Sequence, residues 1–468
     1  MTDRLARQHH ATFHAARAPS PRCLRAVAPF GVTVERRGPS RPPAPPGTAA
    51  AIDAIRRLDA GDVALLTGPS GAGKSTLLHA IAHRLGDDAV ALDGADPLAS
   101  LDPRRLIADQ FHGARAESIM PRLSAVGLGE ARLLVRTPAQ LSQGERFRLA
   151  LAAAAHTAER LGARWLLIDE CAAPLDRSTA MCVCGALRRW LRRRGGTLRV
   201  VAASAHEDLP ALLAPQLLIR PTPTGVRLAS PRRRPTLAER RRPTLEPGEI
   251  ADFDALARHH YRAARPATWP IVWRATDHTG ATAGVLVASH PTLNASWRGR
   301  AWPGRYDPGR SPASKRRGAR RLNRELRCIS RVVIEPRWRG LGVASALVRA
   351  FLEHRPTPAT EAIAVMGAIS PFFEAAGMTP YRLHPTEPDR RLLDAVEEAR
   401  VPIWALLDRA SARRLLGSGW LAEELRRWRR ASGARAAGLR TPDGLIAAAA
   451  SRLGAIVYGG GPTAYAHA

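Results

Sequence analysis

The chain has 468 residues, and its 71 Lys and Arg against 41 Asp and Glu give a formal charge of +30, which favours a polyanionic partner, nucleic acid ahead of an anionic membrane surface. Its length suits about two to four domains, and its 45% apolar residues suffice for real cores. No run approaches the ~18 apolar residues that span a bilayer, the opening MTDRLARQHH lacks the apolar stretch of a signal peptide, and Cys23, Cys171, Cys182, Cys184 and Cys328 form no CxxC pair. These features argue against membrane insertion, a secreted disulfide scaffold and an ordinary zinc site, and the expectation is a cytoplasmic protein with reduced thiols.

Residues 1–48 are basic and end in RGPSRPPAPPG, a Pro-rich stretch that resists packing. Over 49–225, short apolar runs alternate with helical spacing, the pattern of a mainly parallel α/β sheet. Residues 226–247 repeat RRRPTL at 232–237 and 240–245 and read as a charged linker. A second mixed region, α+β in character, occupies 248–390. The tail, 391–468, is rich in Ala, Leu and Arg with helical spacing in LAEELRRWRRA, and its Gly-rich end is expected to fray.

The chain has only two lysines, and one of them, Lys74, completes G-x-x-x-x-G-K-S/T in GPSGAGKST. The apolar run VALLT precedes it and the helical run LLHAIAHRL follows. In such a loop Gly68, Pro69, Ser70, Gly71, Ala72, Gly73, Lys74, Ser75 and Thr76 wrap a nucleotide's phosphates. Glycines let the backbone N–H groups point inward, and the following helix adds its positive end. A compact ammonium reaches the β- and γ-phosphates where a forked guanidinium would not fit. Ser75 offers its hydroxyl to Mg2+.

WLLIDE, 165–170, reads as a buried strand ending in two acids. Asp169 would hold Mg2+ through water, and Glu170 would act as general base on the attacking water. LSQGERFRLALAAA, 141–154, resembles the signature loop of ABC-type ATPases, usually written LSGGQ. APLD, 173–176, resembles their D-loop, and ASAHED, 203–208, their switch histidine, His206. Read alone, His206 is an ordinary surface histidine; in this order it takes the catalytic reading. The resemblance implies ATP and Mg2+ as cofactors. It also implies a homodimer in which Ser142, Gly144 and Asp176 of one subunit complete the other's ATP site. Gln143 and Glu145 depart from the usual signature. DPLASLDPRR, 96–105, resembles the segment after the family's Q-loop glutamine, but Ala95 stands at the glutamine's place; Gln110 would substitute only in a rebuilt loop.

ISRVVIEPRWRGLGVASALVRAFL, 329–352, reads as strand, turn and helix. It resembles motif A of the GNAT acyltransferases, R-x-x-G-x-G/A, here Arg339, Gly342 and Ala344, and PFFEAAGM, 371–378, resembles a later GNAT segment. The resemblance implies acetyl-CoA or another acyl-CoA bound along Val333, Ile334, Arg339, Gly340, Leu341, Gly342, Val343 and Ala344. The physics is again phosphate capture at a helix N-terminus. Phe373 stands where the family often has a proton-donating tyrosine. Glu335 is open to two readings, general base or exposed strand-end acid. His260 and Tyr261 in RHHYRAARP, with GVLVASHP and ISRVV, faintly resemble phage DNA-modification proteins of the Mom type; a helix-end His and an aromatic anchor is the other reading.

The insertion 297–331 has twelve basic residues and two acidic ones, with Trp297, Trp302 and Tyr306 interleaved. One reading has the cations neutralising phosphates and the aromatics stacking on unpaired bases; the other is a solvated loop. The whole order, about residues 50–385, resembles ABC-type ATPases fused to an acetyltransferase-like domain. The fold class expected is α/β, a P-loop ABC ATPase domain followed by an α+β GNAT-like domain and a helical C-terminal tail. The function expected is an ATPase joined to an acyl-CoA-dependent acyltransferase on or near nucleic acid. The alternatives are a nucleic-acid-binding ATP switch with an inactive GNAT scaffold, and a transporter ATPase subunit.

Overall fold

The computed structural model describes residues 12–15, 18–30, 33–36, 44–193, 196–231, 235–260, 264–306, 311–354, 356–367, 370–432, 441–458 and 461–467. Near the start, β1 (Thr12–Ala15) pairs in parallel with β2 (Thr33–Arg36), and α1 (Pro21–Val27) lies between them in sequence. No helix among the described residues is long and apolar enough to cross a membrane.

The first domain follows α2 (Thr48–Arg56). Its sheet contains β3 (Val63–Thr67), β4 (Ala89–Asp93), β5 (Trp165–Asp169), β6 (Arg199–Ser204), β7 (Leu217–Thr222) and β8 (Gly225–Ala229), in the order β4-β5-β6-β3-β7-β8. Only the β7–β8 pair is antiparallel. Strands β3 and β5 are buried at all five positions, as parallel strands covered on both faces must be. Alternate residues serve two cores. Ala64, Leu66, Leu167 and Val201 meet α2 and α3 (Lys74–Leu85). Leu65, Leu166, Ile168 and Val200 join the core that includes residues of α4 (Ala116–Ala125), α5 (Gln143–Leu161) and α6 (Arg177–Arg193). The short α7 (Leu209–Leu213) completes this layer.

The stretch expected to be a linker is structured. Strand β8 extends to Ala229, α8 (Leu237–Arg240) follows, and β9 (Thr244–Pro247) is the edge strand of the next sheet. The Arg and Pro content hid a capping box: Thr236, fully buried, caps α8 by accepting from Glu239 N, and Glu239 accepts from Thr236 N at 2.7 Å. Arg232, Arg233 and Arg234 lie outside the described residues.

The second domain begins with β9 and α9 (Ile250–Leu256). Strands β10 (Ile271–Thr276) and β11 (Thr282–Ser289) follow, then α10 (Arg298–Ala301), α11 (Pro312–Glu325) and β12 (Leu326–Ile334). Helix α12 (Val343–His354), β13 (Ala359–Ala364) and β14 (Thr379–Arg382) come next. Four helices, α13 (Glu387–Glu398), α14 (Arg409–Gly417), α15 (Trp420–Ser432) and α16 (Pro442–Val457), then precede β15 (Thr463–His467). The sheet order is β14-β15-β13-β12-β11-β10-β9. Strands β12 and β13 are parallel and pair only from Leu326 to Ile329 on β12, although β12 runs on to Ile334. The two strands therefore part company beside the loop that leads into α12. The Gly-rich end does not fray over 463–467: β15 is inserted between β13 and β14, and Ala464, Tyr465 and Ala466 are buried.

The basic insertion is helical, and its aromatics are not available for stacking on bases. Trp297, Trp302 and Tyr306 are 5%, 7% and 8% exposed and pack on one another and on Leu322 and Leu326. Apolar rings this large are worth more in a core than in water. The insertion is pinned by Arg298, whose Nε and Nη2 each donate at 2.7 Å to the Glu361 carboxylate on β13. What reaches solvent is α11, with Lys315, Arg316, Arg317, Arg320, Arg321 and Arg324 on its accessible sides.

Candidate functional site

Strand β6 lies between β5 and β3, with Ile168 opposite Ala202 and Thr67 opposite Ser204. Three carboxyl ends thus meet at one edge, where open α/β sheets bind ligands. The loop after β3 carries Gly68 to Gly73 and turns on Gly71 and Gly73, at φ 79° and 82°. A Cβ at either would meet nothing within 4 Å, so the space in front of the loop is open. Gly73 caps α3 without any side-chain hydrogen bond, which leaves the first N–H groups of a 12-residue helix for an anion. Lys74 is 5% exposed, and its Nζ donates to the carbonyls of Gly68 at 3.0 Å and Pro69 at 2.8 Å. Ser75 follows it in the first turn of α3.

Asp169 ends β5, 8% exposed, and its Oδ1 accepts from Glu170 N at 2.9 Å. Glu170 has φ 43° and Ala172 φ 59°, a left-handed backbone that costs a residue with a Cβ on the order of 1 kcal/mol. That strain at the expected base was not readable from residue types. A pocket of about 240 Å3 opens beside it, lined by His79, Asp93, Asp96 and Asp169 among others. His206 follows β6, half-buried, with its N–H on Ser204 Oγ at 3.3 Å.

Ser142 caps α5 and is exposed. Its hydroxyl donates to Glu145 Oε2 at 2.9 Å, and the same oxygen accepts from Ser142 N at 2.9 Å. The departure from the usual signature is therefore a capping box that sets a carboxylate on the signature serine. Gly144 packs on the D-loop, a Cβ there lying 3.2 Å from Leu175 Cδ2. Asp176 accepts from Thr179 N at 2.9 Å and Oγ1 at 2.6 Å. Burial pushes its pKa up, but these bonds and the charge of Arg337 outweigh that and hold it below the ordinary carboxylate value. Gln110 is buried, with Oε1 accepting from Asp102 N and Nε2 donating to the carbonyls of Asp102 and Arg105, bonds it would have to leave to serve as a Q-loop glutamine.

In the second domain, Val333 and Ile334 end β12 opposite Val285 and Gly284. Val333 is buried against Phe253, and Val343 is buried too. Gly340 and Gly342 have φ 75° and 84°, and α12 starts at Val343 with Ala344 in its first turn. Arg339 does not project from the loop into solvent. Its Nε donates to Ile334 O at 3.1 Å, Nη2 to His259 O at 3.3 Å, and Nη1 is buried without a hydrogen-bond partner among the described residues. Glu335 caps the turn 336–338 and faces Arg337 Nε at 3.1 Å. Phe373 is buried, its ring 5.0 Å from that of Tyr465, whose hydroxyl donates to Glu374 at 3.3 Å. Tyr465 thus supplies a hydroxyl near Phe373, from a strand 92 positions away in a stretch whose composition suggested fraying. Tyr261 lies outside the described residues.

The space in front of this second loop is filled by the first domain. Arg189 of α6 donates from Nη1 to Leu341 O, and a Cβ on Gly342 would lie 2.7 Å from its Cζ. A Cβ on Gly340 would lie 3.3 Å from Ala186 Cβ and 3.2 Å from Ala125 O. The arrangement is matched from the other side. A Cβ on Gly127 would lie 2.8 Å from Pro336 O, and one on Gly185 3.2 Å from Leu341 Cδ2. At the rim, His259 Nδ1 and Glu130 Oε1 are 3.0 Å apart, both nearly buried. No signal in the sequence paired Arg189 with a loop 152 positions on.

No family model matches the chain. Its first part is 34% identical over 194 residues to the sulfate/thiosulfate import ATP-binding protein CysA of Bradyrhizobium diazoefficiens, a match covering 35% of this chain and 54% of that protein. It is 33% identical over 179 residues to the lipoprotein-releasing system ATP-binding protein LolD of Maricaulis maris, covering 31% of this chain and 76% of that one. The chain thus spans about half the length of the first relative and three quarters of the second. Among solved structures, the ATP-binding cassette MJ0796, a dimer with ADP and Pi, matches with 19% identity and a TM-score of 0.31 over 37% of this chain and 87% of that one.

Proposed function

The chain belongs, through its first domain, to the ABC-type ATP-binding proteins, and from that premise we propose that this domain binds and hydrolyses ATP as a homodimer. The observation that carries the reading is the open glycine loop, uncapped α3 and buried Lys74 at the edge where Asp169, Glu170 and His206 converge. The residues fit ATP and Mg2+: the cradle is open where phosphates belong, and hydroxyl and carboxylate suit a hard cation. Lys74 Nζ would leave the carbonyls of Gly68 and Pro69 for phosphate oxygens, and Ser75 and Asp169 would hold Mg2+, which neutralises phosphate charge. Glu170 would take a proton from the attacking water. His206 would orient that water, and Ser142 and Gly144 would reach the nucleotide of the partner subunit. Glu170→Gln tests this. ATP binding should persist, turnover should fall by at least ~100-fold, and an ATP-dependent dimer should accumulate on a sizing column. Unchanged turnover would place the chemistry elsewhere, and Lys74→Ala should abolish binding.

For the second domain the reading is a GNAT-like fold whose loop, Arg339 to Ala344, takes the diphosphate of an acyl-CoA. Its support is the parting of β12 from β13 beside two left-handed glycines and a helix N-terminus. The loop does not fit that group while Arg189 fills it, so no acyl-transfer step is assigned to it. The filled loop favours a second reading, an ATP switch with the GNAT-like fold as scaffold. Isothermal titration of the full chain and of Arg189→Ala with acetyl-CoA and with free CoA tests the diphosphate site: binding to neither overturns it, and a CoA site without acyl transfer supports the scaffold reading. On either reading the partner is nucleic acid, gripped by the solvent-facing cations of α11.

A further inference from the structure

Helices α5 and α6 each start at an element expected to face ATP in a dimer and each reach the boundary between the domains. Helix α6 leaves the D-loop directly after Asp176 and carries Gly185, Ala186 and Arg189 to the loop of the second domain. Helix α5 starts at the signature; its Arg148 donates from Nε to Gly144 O at 3.2 Å and from Nη1 to Gly127 O at 3.2 Å. Gly127 in turn lies against Pro336. The boundary is a fitted one. Glycines on both sides leave no room for a Cβ, and Arg189 inserts where Gly342 leaves space. A packed seam of this kind shifts between discrete arrangements more readily than it deforms.

We propose that this seam is a latch: Arg189 stoppers the glycine loop of the second domain, and ATP-driven rearrangement of the D-loop and signature withdraws it through α6 and α5. The latch rests on the reading that the loop receives a diphosphate, but only for the ligand it controls. With the seam closed, the anion site is closed; with ATP bound in the dimer, α6 moves and the loop becomes accessible. The second domain then works, or binds, only in one phase of the ATP cycle. Coupling of this sort is reciprocal for binding, so a ligand in the opened loop tightens ATP binding by the same factor, on the order of 5–150-fold.

The test uses the full chain carrying Glu170→Gln, with backbone hydrogen–deuterium exchange read by mass spectrometry. Addition of ATP and Mg2+ should speed exchange together in 183–190 and 336–346. The same chain with Lys74→Ala added should show no response. Arg189→Ala should speed exchange of 339–344 without ATP and erase most of the ATP effect. Exchange indifferent to ATP in the Glu170→Gln chain, or an ATP response left unaltered by Arg189→Ala, overturns the latch. Acetyl-CoA separates the latch from the reading beneath it. If Arg189→Ala binds acetyl-CoA at least ~5-fold more tightly than the parent, both stand. If no chain binds acetyl-CoA or CoA while exchange follows ATP, the latch stands and the acyl-CoA reading falls. If parent and variant bind acetyl-CoA equally and exchange ignores ATP, the acyl-CoA reading stands and the latch falls.

Discussion

Glu361→Gln should loosen the whole basic insertion, because it leaves a buried cation without its anion. Arg298 and Glu361 are 2% and 1% exposed and joined by two bonds of 2.7 Å, with Leu293 O a further acceptor at 3.3 Å. Removing one partner of such a pair typically costs about 3–5 kcal/mol, because the remaining charge stays desolvated. At about 1.4 kcal/mol per factor of ten, that speeds opening-limited exchange in α10, α11 and the start of β12 by about two to four orders of magnitude. Replacing both at once, Arg298→Met with Glu361→Leu, removes the desolvation along with the attraction and should restore most of the protection. The assay is hydrogen–deuterium exchange of 293–330 in the two chains and the parent, with tryptophan fluorescence reporting the cluster of Trp297 and Trp302. If the single variant exchanges at the parent's rate, or the double variant is as loose as the single, the pair is not a dry staple.

The other expectations follow from charge and capping. Replacing Arg316, Arg317, Arg320 and Arg321 by Ser should flatten the slope of log affinity for duplex DNA against log salt by about 0.9 for each phosphate no longer neutralised; a slope unchanged by these four changes would take the nucleic acid off α11. Glu145→Gln keeps the capping box but removes the carboxylate beside Ser142, and should tighten the ATP-bound dimer of the Glu170→Gln chain by about fivefold for each of its two sites, about 30-fold in all, the effect of ~1 kcal/mol for one charge near phosphate in water. Equal dimer affinity by analytical ultracentrifugation would contradict that. Asp389 is 2% exposed. Burial pushes its pKa up, but hydrogen bonds from Arg452, Trp428 and Thr386 outweigh this and hold it below its ordinary 3.8. Its stabilising contribution is therefore complete above that value and lost as pH falls through the lowered one. In acid titrations followed by circular dichroism, Asp389→Asn should weaken the helical module at neutral pH and remove part of its loss below pH ~4.

The strand ends and loop of the candidate ATP site were legible because they are local. Each motif is a strand end or a helix start, and five residues of VALLT or WLLID suffice to declare a buried parallel strand. Side chains whose role is set by distant partners were not. Trp297, Trp302 and Tyr306 among arginines look like a nucleic-acid platform until Leu322 and Leu326 fold over them. Gly340 and Gly342 read as glycines meant for a phosphate, and sequence alone cannot tell a ligand from a guanidinium arriving from α6. Residues 236–239 held a capping box inside a stretch with the composition of a linker. Tyr465 and its strand were hidden for the same reason: a five-residue strand beside glycines carries little pattern, and only β13 and β14 on either side make it necessary.

That last strand also sets an order of events during synthesis. β15 pairs with both β13 and β14, yet it leaves the ribosome after the four helices α13 to α16. All six strands of the first sheet have emerged long before, so that sheet can be completed while the second still has a gap in it. During that interval β13 and β14 present unpaired edges, templates for pairing with other chains. A nascent chain stalled at residue 458 would therefore hold a complete first sheet beside a second with two open edges, which close only when 463–467 arrive.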